Sequence, residues 1–341
     1  MKKIIFLLLL AVQSLLVIAQ DDKNLYSTTS LKQVVKEVEV QTSGGSINVS
    51  GVASNPRIEV YIRGNNDKEL SKEEIKQRLD ELYTLDIDVS NGKLTATAKA
   101  KSNIRDWKKA LSISFKVFVP KNVTTDLSTS GGSISLSGLE GKQEFKTSGG
   151  SLHVSDVSGN ITGRTSGGSI HVENATNMID LTTSGGSIHA KNCKGDIKLN
   201  TSGGSLELVG LDGTIKASTS GGGIRGENIG GELSTHTSGG SIRLNNLTCS
   251  IDASTSGGSI DVSVASLGKF IKLRNSGGNI DLQVPAGKGL NLDLAGNRVK
   301  TDKLTNFNGK VEDDQLEGTV NGGGIPVTAK SGSGRVLLAF K

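Results

Sequence analysis

The tetrapeptide Thr-Ser-Gly-Gly begins at Thr129, Thr147, Thr165, Thr183, Thr201, Thr219, Thr237 and Thr255, each step being 18 residues. A degenerate Asn-Ser-Gly-Gly starts at Asn275 after a step of 20, and an isolated copy stands upstream at Thr42. Eight copies in strict phase restrict the chain to an architecture of equal units, each buried against its neighbours rather than on its own.

The apolar residues say what one unit folds into. After Thr183, Ile188 and Ala190 alternate, Cys193 follows, and Ile197 and Leu199 alternate again. The next unit repeats this with Leu206, Leu208, Leu211, Ile215 and Ala217. A period of two means β-strand with one buried face, so each unit holds two short strands whose starts lie nine residues apart. The Gly-Gly pair is expected to supply positive φ at a turn, and a second glycine (Gly141, Gly159, Gly195, Gly213, Gly231) precedes the second strand. No proline lies between Lys121 and Val284, as continuous ladders require.

These features predict an all-β chain, a parallel β-solenoid of 18-residue two-strand coils over residues 129–289. A three-sided coil needs hexapeptide offsets, which are absent; two nine-residue halves fit, with handedness open. The 45 glycines and the 3% aromatic content then agree with a core of stacked small aliphatics. Residues 31–128 read as an irregular N-terminal β cap: a strand at 57–63, a helix near 71–83 opened by the capping box Ser71-Lys72-Glu73-Glu74, a hairpin at Asn91-Gly92, and a strand at 111–119. Residues 290–341 read as C-terminal capping coils.

Residues 1–19 carry Lys2, Lys3 and a nearly continuous apolar run from Ile4 to Ile18, the pattern of a secretory signal peptide; residues 20–30 read as a linker. No cysteine follows the apolar run and no second run reaches membrane-spanning length. The mature chain is therefore expected to be exported and soluble, at the cell surface or in the periplasm, and not a lipoprotein. Its net charge is weakly positive, and it lacks basic runs and stacking aromatics, which argues against nucleic acid.

The Thr-Ser-Gly-Gly-Ser-Ile units resemble those of the bacterial putative-adhesin family of β-strand-repeat domains, and are similar to the head domain of putative auto-transporter adhesins. The resemblance covers roughly residues 31–341 and is most specific over 129–284. It implies an exported β-solenoid with a role at the cell surface, and it carries no catalytic motif.

Candidate chemistry is sparse. His153, His171 and His189 lie 18 apart between inward residues, so they point outward and stack; imidazole ladders bind zinc or copper, but no second ligand type stands beside them, and a solvated face is the plainer reading. The ladder continues through Glu207, Arg225, Arg243, Asp261 and Asp281. Calcium β-rolls need an Asp after the glycines, where this chain has Ser and Ile. Asp261 and Asp281 on adjacent coils could meet the carboxylate spacing of a glycosidase, but no Trp or Tyr lies in residues 129–284. Cys193 reads as a small core residue. Cys249 reads as a turn residue open to solvent, three coils away and roughly 14 Å from Cys193, too far for a disulfide.

The expectation is therefore a non-enzymatic structural or adhesin-like surface module, with no cofactor and a surface partner that is protein or glycan. The alternative is a periplasmic metal- or glycan-binding protein using the face near His153, His171 and His189. A carbohydrate-active enzyme is the disfavoured third. Trp107, alone in the N-terminal cap, is a further candidate for recognition. Oligomeric state is not legible.

Overall fold

A computed structural model describes residues 24–65, 70–102, 104 and 106–341; the expected signal peptide lies outside them. The chain is all-β, with one α-helix, Lys72–Leu82, among the described residues. No helix among them is long and apolar enough to cross a membrane. Two compact units divide at Ser135/Leu136, and each is described by itself.

In the first unit, Glu37–Thr42 lies parallel between Lys93–Ala100 and Thr124–Thr129, and Tyr83–Ser90 closes that ladder antiparallel to Lys93–Ala100. The hairpin between the last two turns at Asn91 (φ 52°) and Gly92 (φ 76°), as the Asn-Gly pair dictates. A second ladder runs Ile47–Gly51, Leu111–Val119, Arg57–Gly64, the first pair parallel and the second antiparallel. Residues 20–30, expected as a linker, differ: Leu25–Ser30 forms a strand antiparallel to Arg57–Gly64, which supplies an edge for it. Ser71 caps the helix by accepting the Glu74 N–H at 3.1 Å, but the Glu74 carboxylate pairs with Arg78 rather than reaching back to the cap. Leu79 and Tyr83 are buried, and the Tyr83 hydroxyl bridges the Leu111 carbonyl and N–H. Trp107 stands 60% exposed on a short 3-10 turn, Trp107–Lys109.

In the second unit each strand from Glu140 to Thr237 pairs in parallel with the strand 18 residues on. One ladder steps through Leu152–Ser155, Ile170–Glu173, Ile188–Lys191, Leu206–Val209 and Ile224–Glu227. The other steps through Glu140–Thr147, Ser158–Thr165, Thr176–Thr183, Lys194–Thr201, Asp212–Thr219 and Gly230–Thr237. Inward rows such as Ile170, Ile188, Leu206, Ile224 and Ile242 are at most 2% exposed. Alternation places the polar residues between them outward.

The corners follow a different logic from the one read in the sequence. The Gly-Gly pairs do not adopt positive φ; that role falls to Gly141, Gly159, Gly195, Gly213 and Gly231, and to Asp156, Asn174, Asn192, Asn228 and Asn246 at the other corner. The second glycine of each pair is needed for close approach: a Cβ on Gly168 would lie 2.1 Å from the Gly150 carbonyl oxygen, inside any allowed contact. Beside it, the repeat threonine is buried, and its hydroxyl donates to a glycine carbonyl of the preceding coil, as Thr165 does to Gly150 and Thr183 to Gly168, each at 2.7 Å.

Cys193 and Cys249 are both free and buried. For Cys249 this corrects the expected exposed turn. The two-residue excess in the next coil brings Gly268 against the Cys249–Ser250 backbone, where Lys269 N–H donates to Ser250 Oγ at 2.9 Å. Burial pushes the Cys249 thiol up to about 12. The C-terminal segment also departs from chain order: Ile325–Ser331 and Arg335–Phe340 pair directly with Ile271–Asn275 and Ile280–Val284, while Leu290–Ala295 and Arg298–Thr301 lie on their far side.

Gly168→Ala is expected to lower unfolding free energy by about 1–3 kcal/mol, the cost of overpacking. Gly167→Ala, whose Cβ would sit 3.5 Å from the nearest atom on an exposed corner, should change it by less than about 0.5 kcal/mol. Urea unfolding followed by circular dichroism measures both, and equal losses would refute the close-approach account.

Candidate functional site

The outward row of the first ladder gathers most of the candidate residues. His153 stands between buried Leu152 and Val154, and His171 and His189 occupy the same register one and two strands on. The rings stack with centroids 5.2 Å and then 4.8 Å apart, and interplanar angles of 4° and 3°. The row continues in register through Glu207, Arg225, Arg243, Asp261 and Asp281.

Stacked rings present parallel nitrogens. Adjacent imidazoles about 5 Å apart cannot both reach one zinc ion at about 2.0–2.1 Å without rotating out of the stack. Among the described residues no group of three or more His, Cys, Asp and Glu side chains is placed to hold a metal. His189 Nδ1 is instead engaged by Glu207 Oε2 at 2.8 Å; a carboxylate accepts, so Nδ1 carries the proton. His171 sits between two other imidazoles. Burial, with His189 and His153 beside it, holds its pKa below the ordinary 6.5 of histidine.

The acidic end of the row differs from a glycosidase pair. Asp281 is held by the Arg335 guanidinium at 3.0 and 3.1 Å, a partner delivered from 54 residues downstream that local spacing could not reveal. Asp261 stays in register beside it, so one carboxylate of the pair is already neutralised. Elsewhere on the surface, charges pair between coils: Lys191 with Glu173 at 2.9 Å, Lys198 with Asp180 at 3.4 Å, Arg274 with Asp252 at 2.9 Å. Arg225 and Arg243 are a different case. They are adjacent, like-charged, and without a side-chain hydrogen bond or ion pair among the described residues. Sequence reading passed over this pair as part of a drifting row; the one visible signal was Gly223, which replaces the serine that follows Gly-Gly in neighbouring coils.

No family model matches this chain, and no curated relative matches it. Among solved structures it is similar to a putative adhesin from Parabacteroides merdae ATCC 43184, at 15% identity over 74% of this chain and 97% of that one, with a TM-score of 0.43. It is similar to a putative cell adhesion protein from Clostridium sporogenes ATCC 15579, at 10% identity over 92% and 98%, TM-score 0.18. A putative lipid binding protein from Parabacteroides distasonis ATCC 8503 matches at 14% identity over 93% and 97%, TM-score 0.30. None reaches a TM-score of 0.5, and none carries an argument about function.

The depressed pKa of His171 fixes the sign of a pH effect. The unfolded chain takes up this proton more readily than the folded one. The contribution to stability is therefore complete above the ordinary 6.5 and is lost as pH falls through the lower folded-state value. In an NMR titration the His171 Hε1 resonance should have its midpoint below 6.5. The double variant His153→Gln/His189→Gln should move the midpoint part of the way back, because burial remains. A midpoint at or above 6.5 would contradict the stacked geometry.

Proposed function

We propose that the chain is an exported, non-enzymatic, adhesin-like module. In this reading it is a parallel β-solenoid of 18-residue two-strand coils that presents rows of polar side chains to a partner at the cell surface. The observation that carries the reading is the outward row from His153 to Asp261, in which each side chain stands one strand beyond the last over a buried aliphatic row. Fixing donors and acceptors on a ladder removes most of the ordering cost of a contact, and repeating them at one spacing lets several weak contacts act together.

A catalytic reading lacks support of this kind. Catalysis draws on groups converging around a reacting atom with water excluded, whereas this row runs along an open face and Asp281 is tied to Arg335. The adhesive part of the proposal rests on the resemblance of the repeat units, since a fold class does not determine function.

The test is made on intact cells of the producing bacterium. Brief protease treatment followed by mass spectrometry should release peptides of this chain, and deleting its gene should reduce attachment to matrix or neighbouring cells. A chain protected from protease until the envelope is opened would contradict surface presentation.

A further inference from the structure

The geometry points to a binding site for an acidic saccharide, its oxyanion held by Arg225 and Arg243. Three observations converge. First, the two arginines face each other across adjacent parallel strands, where like charges are unfavourable unless an anion lies between them, and neither guanidinium has a partner among the described residues. Both have donors free for a carboxylate or sulfate oxygen.

Second, a rung is missing from the adjacent serine row. Ser187, Ser205 and Ser259 each donate a backbone N–H to the serine hydroxyl one coil earlier, at 3.2, 3.1 and 3.1 Å. Ser241 has no such acceptor, because the coil before it carries Gly223. Among the described residues its N–H has no serine acceptor, and Ser241 lines the same depression as the two arginines. A backbone donor without a protein acceptor next to unpaired cations is the local chemistry of an anion site.

Third, the missing side chain opens a depression of about 300 Å³, lined among others by His189, Ser205, Glu207, Arg225, Ser241 and Arg243. The lining is divided by charge: guanidiniums, hydroxyls and the free N–H at one end, and the Glu207 carboxylate with His189 at the other. Glu227, two residues along from Arg225, and Asp261, one strand beyond Arg243, add acidic groups nearby. A bare anion gains nothing from those carboxylates. A sugar acid uses both ends, its oxyanion on the arginines and its hydroxyls donating to Glu207. This deepens the display reading by naming a ligand class, and a titration of purified protein tests it wherever the chain resides.

Isothermal titration of the purified chain with a galacturonic acid hexamer, a sulfated galactan hexamer, a neutral glucose hexamer and inorganic phosphate separates the possibilities. At least one acidic hexamer should bind at least about ten-fold more tightly than the neutral one, the difference of a charge-assisted hydrogen-bond pair, and should weaken with added salt. Which acidic hexamer binds identifies carboxylate or sulfate as the group recognised. Arg225→Gln and Arg243→Gln should each lower affinity about ten-fold. Gly223→Ser, which restores the missing rung and fills the depression, should lower it too, with thermal stability retained. Lys216→Gln/Lys272→Gln, removing two outward charges from the other ladder, should leave binding unchanged. Equal affinity for acidic and neutral hexamers, wild-type binding by the arginine and Gly223 variants, or phosphate binding as tightly as the hexamers would each overturn the proposal.

Discussion

The second unit depends on one buried hydroxyl repeated at every coil. Thr165, Thr183, Thr201, Thr219, Thr237 and Thr255 each donate to a glycine carbonyl 15 residues earlier at 2.7 Å. Each also accepts the N–H of the second glycine in its own coil at 3.2–3.4 Å. A buried hydroxyl satisfied on both sides contributes modestly, while an unpaired one costs about 1–3 kcal/mol. The same bond therefore holds adjacent coils together and penalises a slipped register. It also demands glycine, since only a residue without Cβ lets the coils approach this closely. Threonine and glycine recur together because each is of use only with the other.

Register is the source of everything exposed. With the inward aliphatic rows fixed, whatever residue occupies an outward position is stacked on its counterpart one coil away. Opposite charges become cross-coil ion pairs, which at exposed sites add little stability; asparagines at the corner link side chain to side chain, as Asn174 does to Asp156 at 2.9 Å; imidazoles stack. The Arg225–Arg243 pair is the point where the row leaves a charge conflict unresolved by the protein itself. A fold that makes neighbours of equivalent residues turns single substitutions, such as Gly223 for serine, into recognisable surface features.

The period and the outward histidine row were legible because they follow from spacing alone. In the first unit the helix, the Asn-Gly hairpin and the strand 111–119 were legible for local reasons of capping, turn chemistry and alternation. What escaped depends on contacts between coils. The role of the Gly-Gly pair is set by the carbonyl beneath it and not by its own φ. Cys249 is covered because the following coil is two residues longer. Ser331 and Gly334 stand where a repeat threonine and glycine would, with Ser331 Oγ donating to Gly278 O at 2.8 Å, so residues 325–340 dock ahead of residues 290–301 despite following them in the chain. Arg335 reaches Asp281 for the same reason.

The central claim is an in-register stack in which 18 residues of chain advance one strand spacing. Spin labels attached to cysteines at Arg164 and, in turn, Ser218, His236 and Ser254, all outward on the second ladder, test it by pulsed electron resonance. The sites lie three, four and five coils apart in register. Backbone separations should rise evenly through about 14, 19 and 24 Å, one strand spacing of about 4.8 Å per coil. Separations that fail to grow by that increment, or broad distributions without a maximum, would contradict the stack and the surface rows built on it.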